Sequence, residues 1–84
     1  MKFIKIPLEI EALQFKNENK DIVFNWMRGN CCAAFEEGLP ILEFMTIHGD
    51  KAVARIGDWI VEDGAPGTYY PVKPDIFAKT YKAV

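Results

Sequence analysis

Turn signals cut this chain at short, even intervals, at Gly29-Asn30, Gly38-Leu39-Pro40, Gly49-Asp50, Ile56-Gly57-Asp58 and the stretch ending at Gly67. The runs between them suit short strands rather than long helices, so the spacing predicts a meander. The expected fold class is α+β: a single small domain with a curved or partly closed antiparallel sheet of about five or six short strands and one packed helix. At 84 residues there is room for one domain. A chain of this size buries only about 60 to 65% of the surface its unfolded form exposes, so the core must be thin. Half of the residues are hydrophobic, which is enough to fold. At roughly 0.05 to 0.15 kcal/mol per residue, the expected stability is about 4 to 13 kcal/mol.

The first strand is expected over Leu8 to Phe15, with Ile10 and Ala12 on one face and Leu13 and Phe15 on the other. The single helix is expected from about Lys20 to Arg28. Asn17 or Asn19 can cap it, and Asp21 sits in the first turn, where a negative charge meets the positive end of the helix dipole. Ile22, Val23, Trp26 and Met27 form its apolar stripe, and Gly29-Asn30 supplies a left-handed residue to end it. Cys31 to Glu36 and Ile41 to His48 read as strands around a Gly38-Leu39-Pro40 turn. Gly49-Asp50 then reads as a two-residue hairpin loop with Gly first. That register sets Ile47 against Ala52, Met45 against Ala54 and Phe44 against Arg55, and the helix stripe is expected to pack on the alanine face.

Downstream, Trp59 to Glu62 is expected to pair across Asp63 to Gly67 with Thr68 to Val72, where Pro71 marks an edge or bulge. Pro74 suits the first position of a helical turn, where its missing N–H costs least. Tyr81 to Val84 is then expected to finish as a strand beside the first one.

Ten Lys and Arg against 12 Asp and Glu give a net charge of -2, with the basic residues scattered from Lys2 to Lys82. No phosphate-tracking stripe results, so nucleic acid is not an expected partner. No apolar run approaches the ~20 residues that span a bilayer, so no membrane is expected either. Pro7, Glu9 and Glu11 interrupt what would be the apolar part of a leader, which points to the cytoplasm. Cys31 and Cys32 are adjacent; strand neighbours face opposite ways, so they read as free thiols, one in the core and one half-exposed. With His48 the sole imidazole, a zinc site would need carboxylates or a second chain. No metal and no cofactor are expected.

Three constellations carry polar chemistry. Asp58 follows Gly57 at the start of a strand, where a carboxylate commonly accepts backbone amides in a turn. His48 with Asp50 resembles a general base and its orienting acid, but residues flanking a tight hairpin are solvated. Tyr69 and Tyr70 face opposite sides of their strand, which places one in the core and one outside. The exposed tyrosine, with Lys73 and Asp75, is the expected contact patch. No phosphate loop, G-x-S-x-G, H-E-x-x-H or C-x-x-C occurs, so no catalytic residue is assigned and no enzyme is expected.

Gly57-Asp58-Trp59-Ile60 followed by Gly67 to Tyr81 resembles the ending of small bacteriophage and prophage proteins, G-D-W-I and then G-x-x-Y-P-x-K-P-D-I-F-x-x-T-Y. The resemblance extends to the opening Ile10-Glu11-Ala12-Leu13-Gln14-Phe15 and covers nearly the whole chain. Val72 departs from it where a Cys is expected, as does the Asp63-Gly64-Ala65-Pro66 loop. Most such proteins carry no assigned activity, so no active residue is carried over. The resemblance implies a non-enzymatic accessory protein that binds a host or phage protein, a defence component or a small ligand in the host cytoplasm. A minor structural or assembly protein of the virion is the alternative, and a small enzyme acting on a nucleotide or metabolite the third. Self-association as a homo-oligomer is compatible with all three.

Overall fold

The computed structural model of the chain describes residues 1–4, 9–46, 48–62 and 67–83. Among the described residues the turn signals separate six strands: β1 (Glu11–Gln14), β2 (Cys32–Glu36), β3 (Leu39–Met45), β4 (Lys51–Ala54), β5 (Trp59–Glu62) and β6 (Tyr69–Val72). They form two three-stranded antiparallel sheets, ordered β1-β5-β6 and β2-β3-β4. The α+β class and the strand number stand, but the expected single curved sheet is corrected to two.

The division falls at the Arg55–Asp58 turn. Gly57 adopts φ 97, a left-handed conformation that suits a residue without Cβ. Asp58 N–H donates to Arg55 O at 2.9 Å while Arg55 N–H donates to the Asp58 carboxylate at 3.0 Å, locking the bend with two reciprocal bonds. The chain is turned away from β4, and β5 pairs instead with β1, from Glu11 opposite Glu62 to Gln14 opposite Trp59. Beyond β1, Phe15 N–H donates to Asp58 O and Gly57 N–H to Phe15 O, so the ladder continues into the turn itself. The expected Leu8 start of the first strand lies outside the described residues.

Both hairpins of the second sheet depart from expectation. Glu37 and Gly38, at φ 52 and 80, make a two-residue loop with both residues left-handed, so Leu39 and Pro40 belong to β3. The β3–β4 loop closes between Thr46 and Asp50, and Gly49 takes the left-handed position at φ 84. That is a three-residue rather than a two-residue loop. The register is therefore Met45 opposite Lys51, Phe44 opposite Ala52 and Leu42 opposite Ala54, which turns Phe44 and Leu42 inward in place of Met45. Ile47 lies outside the described residues.

A 3-10 turn (Asn17–Asn19) leads into α1 (Lys20–Trp26). Asn19 precedes α1, but its side chain accepts Lys16 N–H and donates to Gln14 O, both at 2.8 Å, tying the turn back to β1 rather than capping the helix. Val23 and Met27, four apart, are fully buried, and Trp26 is half-buried against them. Ile22 is 65% exposed and leaves the expected stripe. A seven-residue helix buries only a narrow line of side chains. Arg28 and Gly29 then go left-handed, and Asn30 donates from backbone and side chain to Met27 O.

The second helix, α2 (Pro74–Thr80), has Pro74 in its first turn and runs further than the single turn expected. The expected final strand does not form over residues 81–83, where Tyr81 is extended but unladdered. Val84 lies outside the described residues.

Leu13, Ile60 and Tyr69 of the first sheet meet Phe15, Val23, Met27, Cys31, Leu42, Phe44 and Ala54 in the main core. The opposite face of the same sheet carries Trp59, Val61 and Tyr70, and Phe77 of α2 and Tyr81 just beyond it pack there. Trp59 stacks on Phe77 with centroids 4.0 Å apart and planes at 2°, Phe77 stacks on Tyr81 at 4.8 Å, and the Tyr70 and Tyr81 hydroxyls lie 2.9 Å apart. The first sheet thus has the main core on one face and the stacked rings of Phe77 and Tyr81 on the other.

Candidate binding surface

The expected contact patch is only partly a surface. Tyr69 is 2% exposed, meets Trp26 edge-on at 5.3 Å and donates to Trp26 O at 3.5 Å. Burial first, and then the adjacent Glu62 carboxylate, push its phenol pKa up, so it stays neutral. Tyr69 is corrected from candidate contact to core residue. Tyr70 points the other way, as strand alternation requires, but into the aromatic layer under α2, where it is half-buried. Neither tyrosine is the fully exposed anchor that was expected.

Lys73 and Asp75 bracket the start of α2, and both are exposed. Lys73 reaches back to the Asp58 carboxylate at 3.3 Å, and Asp58 is itself only 4% exposed. The carboxylate caps Arg55 N–H on one side and holds the lysine on the other, which is the structural role expected of it. His48 and Asp50 are exposed on the β3–β4 loop.

Cys31 is buried and Cys32 exposed, both as free thiols. Burial, and then the Cys32 thiol beside it, push the Cys31 pKa up, so Cys31 is the less reactive of the two. They line an open depression of about 620 Å³ with Phe44, Met45 and the Glu43–Lys51 ion pair at 2.7 Å. Among the described residues, no group of three His, Cys, Asp or Glu side chains is placed to hold a metal ion. Among the described residues, no helix is long and apolar enough to cross a membrane.

A second concavity is smaller and more apolar. It lies between α1 and the β2–β3 hairpin, measures about 160 Å³, and is walled by Phe24, Ala33, Phe35, Pro40 and Leu42 with Lys20 and Asp21 beside them. Phe35 is 73% exposed and Phe24 37%. The register explains the hollow, because Phe35 pairs with Pro40 and Ala33 with Leu42 on the groove side, and small Ala33 leaves room between the two rings. Beside the groove runs β2, the end strand of its sheet, with four of its five residues exposed. Among the described residues no strand pairs with its outer side, and such an edge next to exposed aromatic rings is a template for another extended chain.

Sequence reasoning passed over Phe24 and Phe35. The available signal was an aromatic off the helical stripe at Phe24 and, in Cys32-Ala33-Ala34-Phe35, a strand without charge until Glu36. No protein-family model, curated protein or solved structure matches the chain.

Proposed function

We propose that this chain is a non-enzymatic binding protein that docks an extended segment of a protein partner along β2, seating an apolar side chain between Phe24 and Phe35. The observation that carries the reading is the coincidence of an open strand edge with two exposed aromatic rings around one apolar hollow. Backbone pairing along such an edge supplies affinity, and the hollow selects which side chain enters it. The resemblance to phage and prophage proteins supplies the class of partner: a host protein or defence component in the cytoplasm of an infected cell, with a virion component as the alternative.

The test is affinity capture from host cells with three baits: the wild-type chain, Phe35→Ser, and Lys73→Glu. Phe35 is largely exposed, so its replacement should change stability by no more than about 0.5 kcal/mol. A partner retained by wild type and Lys73→Glu but lost by Phe35→Ser supports the groove. A partner lost by Lys73→Glu and kept by Phe35→Ser returns the site to the start of α2. Recovery of the chain with purified particles would favour the virion reading.

A further inference from the structure

Residues 1–4 carry apolar side chains that are left exposed among the described residues: Phe3 is 87% exposed and Ile4 92%. Two adjacent large apolar groups left in water mark a surface that gains from a partner. The same molecule presents, elsewhere, the apolar hollow beside β2. We infer that the two belong together across molecules, and that Lys2–Ile4 of a second copy of this chain pair with the open edge of β2. This rests on the docking reading above and names its occupant when no other partner is present.

Strand parity and charge select one register. On β2 the side chains of Ala33 and Phe35 share the face of their partners Leu42 and Pro40, and those of Ala34 and Glu36 alternate to the other face. Ala34 and its partner Ile41 also border the hollow. An antiparallel segment with Phe3 opposite Phe35 places Lys2 opposite Glu36 and Ile4 opposite Ala34. Phe3 then enters the hollow, and its volume of about 160 Å³ matches the roughly 150 Å³ that accommodates a benzene ring in a protein cavity. Lys2 meets the hairpin end that carries Glu36 and Glu37. Arg55 already engages Glu36 through two bonds of 2.7 and 3.0 Å, and Glu37 adds a further negative charge beside it. Where two copies exchange their segments reciprocally the contact is isologous and closes as a two-fold dimer, whereas a head-to-tail exchange would extend to larger species.

Light scattering coupled to size exclusion, run over a range of concentrations, tests this on the whole chain. The wild type should pass from monomer to dimer as concentration rises. Phe3→Ser and Phe35→Ser, on opposite sides of the contact, should each weaken the dimer by about tenfold or more, while Lys73→Glu should not change it. Lys2→Glu should weaken it and Glu36→Lys in the same chain should restore it. A wild type that stays monomeric throughout, or a dimer indifferent to both Phe3→Ser and Phe35→Ser, overturns the inference. If the chain is monomeric yet Phe35→Ser still abolishes partner capture, only the self-pairing falls. If Phe3→Ser dissociates the dimer and capture ignores Phe35→Ser, the docking of a foreign partner falls and the self-pairing stands.

Discussion

Replacing Asp58 separates a structural carboxylate from an exposed ion pair. Its side chain is 5% exposed, accepts Arg55 N–H at 3.0 Å, and holds Lys73 at 3.3 Å, whose own side chain is 56% exposed. A hydrogen bond to a charged acceptor contributes about 1.5 to 3 kcal/mol, whereas a pair with one solvated partner contributes about 0 to 1 kcal/mol. Asp58→Ala should therefore cost about 2 to 3 kcal/mol, most of it from the bend between the sheets. For a domain of this size each kcal/mol lowers Tm by about 4 to 8 °C, which sets the expected fall at roughly 10 °C or more. Asp58→Asn keeps an acceptor for Arg55 N–H and should lose about 1 kcal/mol. Lys73→Met should lose no more than that, and only the Lys73 contribution should shrink at high salt. Thermal melts of the three variants with and without salt supply the comparison. If Asp58→Ala melts no lower than Lys73→Met, the carboxylate does not lock the bend and the account of why the sheets divide there is wrong.

Trp59→Ala should cost about 3 kcal/mol, the lower end for a buried aromatic, because the ring is half-buried and lies flat on Phe77. A double-mutant cycle with Phe77→Ala should show coupling of about 1 kcal/mol, and strict additivity would contradict the stacked layer. A thiol reagent should modify one cysteine rapidly in the folded protein, with Cys32 identified by mass spectrometry and Cys31 reacting only on unfolding; equal rates would contradict the burial of Cys31. Because burial raises the pKa values of both Cys31 and Tyr69, the folded chain holds their protons longer than the unfolded one. Their contribution to stability is complete below the ordinary thiol and phenol values of about 8.5 and 10 and falls as pH rises past them. Denaturant midpoints that stay flat across that window would refute it.

Local chemistry was legible where a residue type has one physical use. Pro74 opens α2, Gly29 is left-handed after α1 although Arg28 before it turns first, Asp58 caps a turn, and Pro71 marks β6 as an edge strand. The six strands themselves followed from turn spacing. Tertiary partnership was not legible in the same way. Strand alternation correctly separated Tyr69 from Tyr70, but it could not show that Tyr81, stacked on Phe77 just beyond α2, meets the second tyrosine as well. The β3–β4 register depended on whether Gly49 opens a two-residue loop or closes a three-residue one, and three residues of slip exchange the two faces of a strand. Glu37 in a left-handed conformation gives no sequence signal, since few non-glycine residues adopt it. The groove escaped because Phe24 and Phe35 are far apart in sequence and only the folded hairpin brings them to one hollow.

Hydrogen exchange measured on the chain alone and on its captured complex tests the docking of an extended segment on β2 most directly. In the free chain, kept dilute enough to be monomeric, the outward amides of an exposed edge strand exchange quickly. The account predicts that complex formation slows exchange across Cys32–Glu36 and leaves Pro74–Thr80 unchanged. Protection over Pro74–Thr80 with β2 unaffected would contradict it.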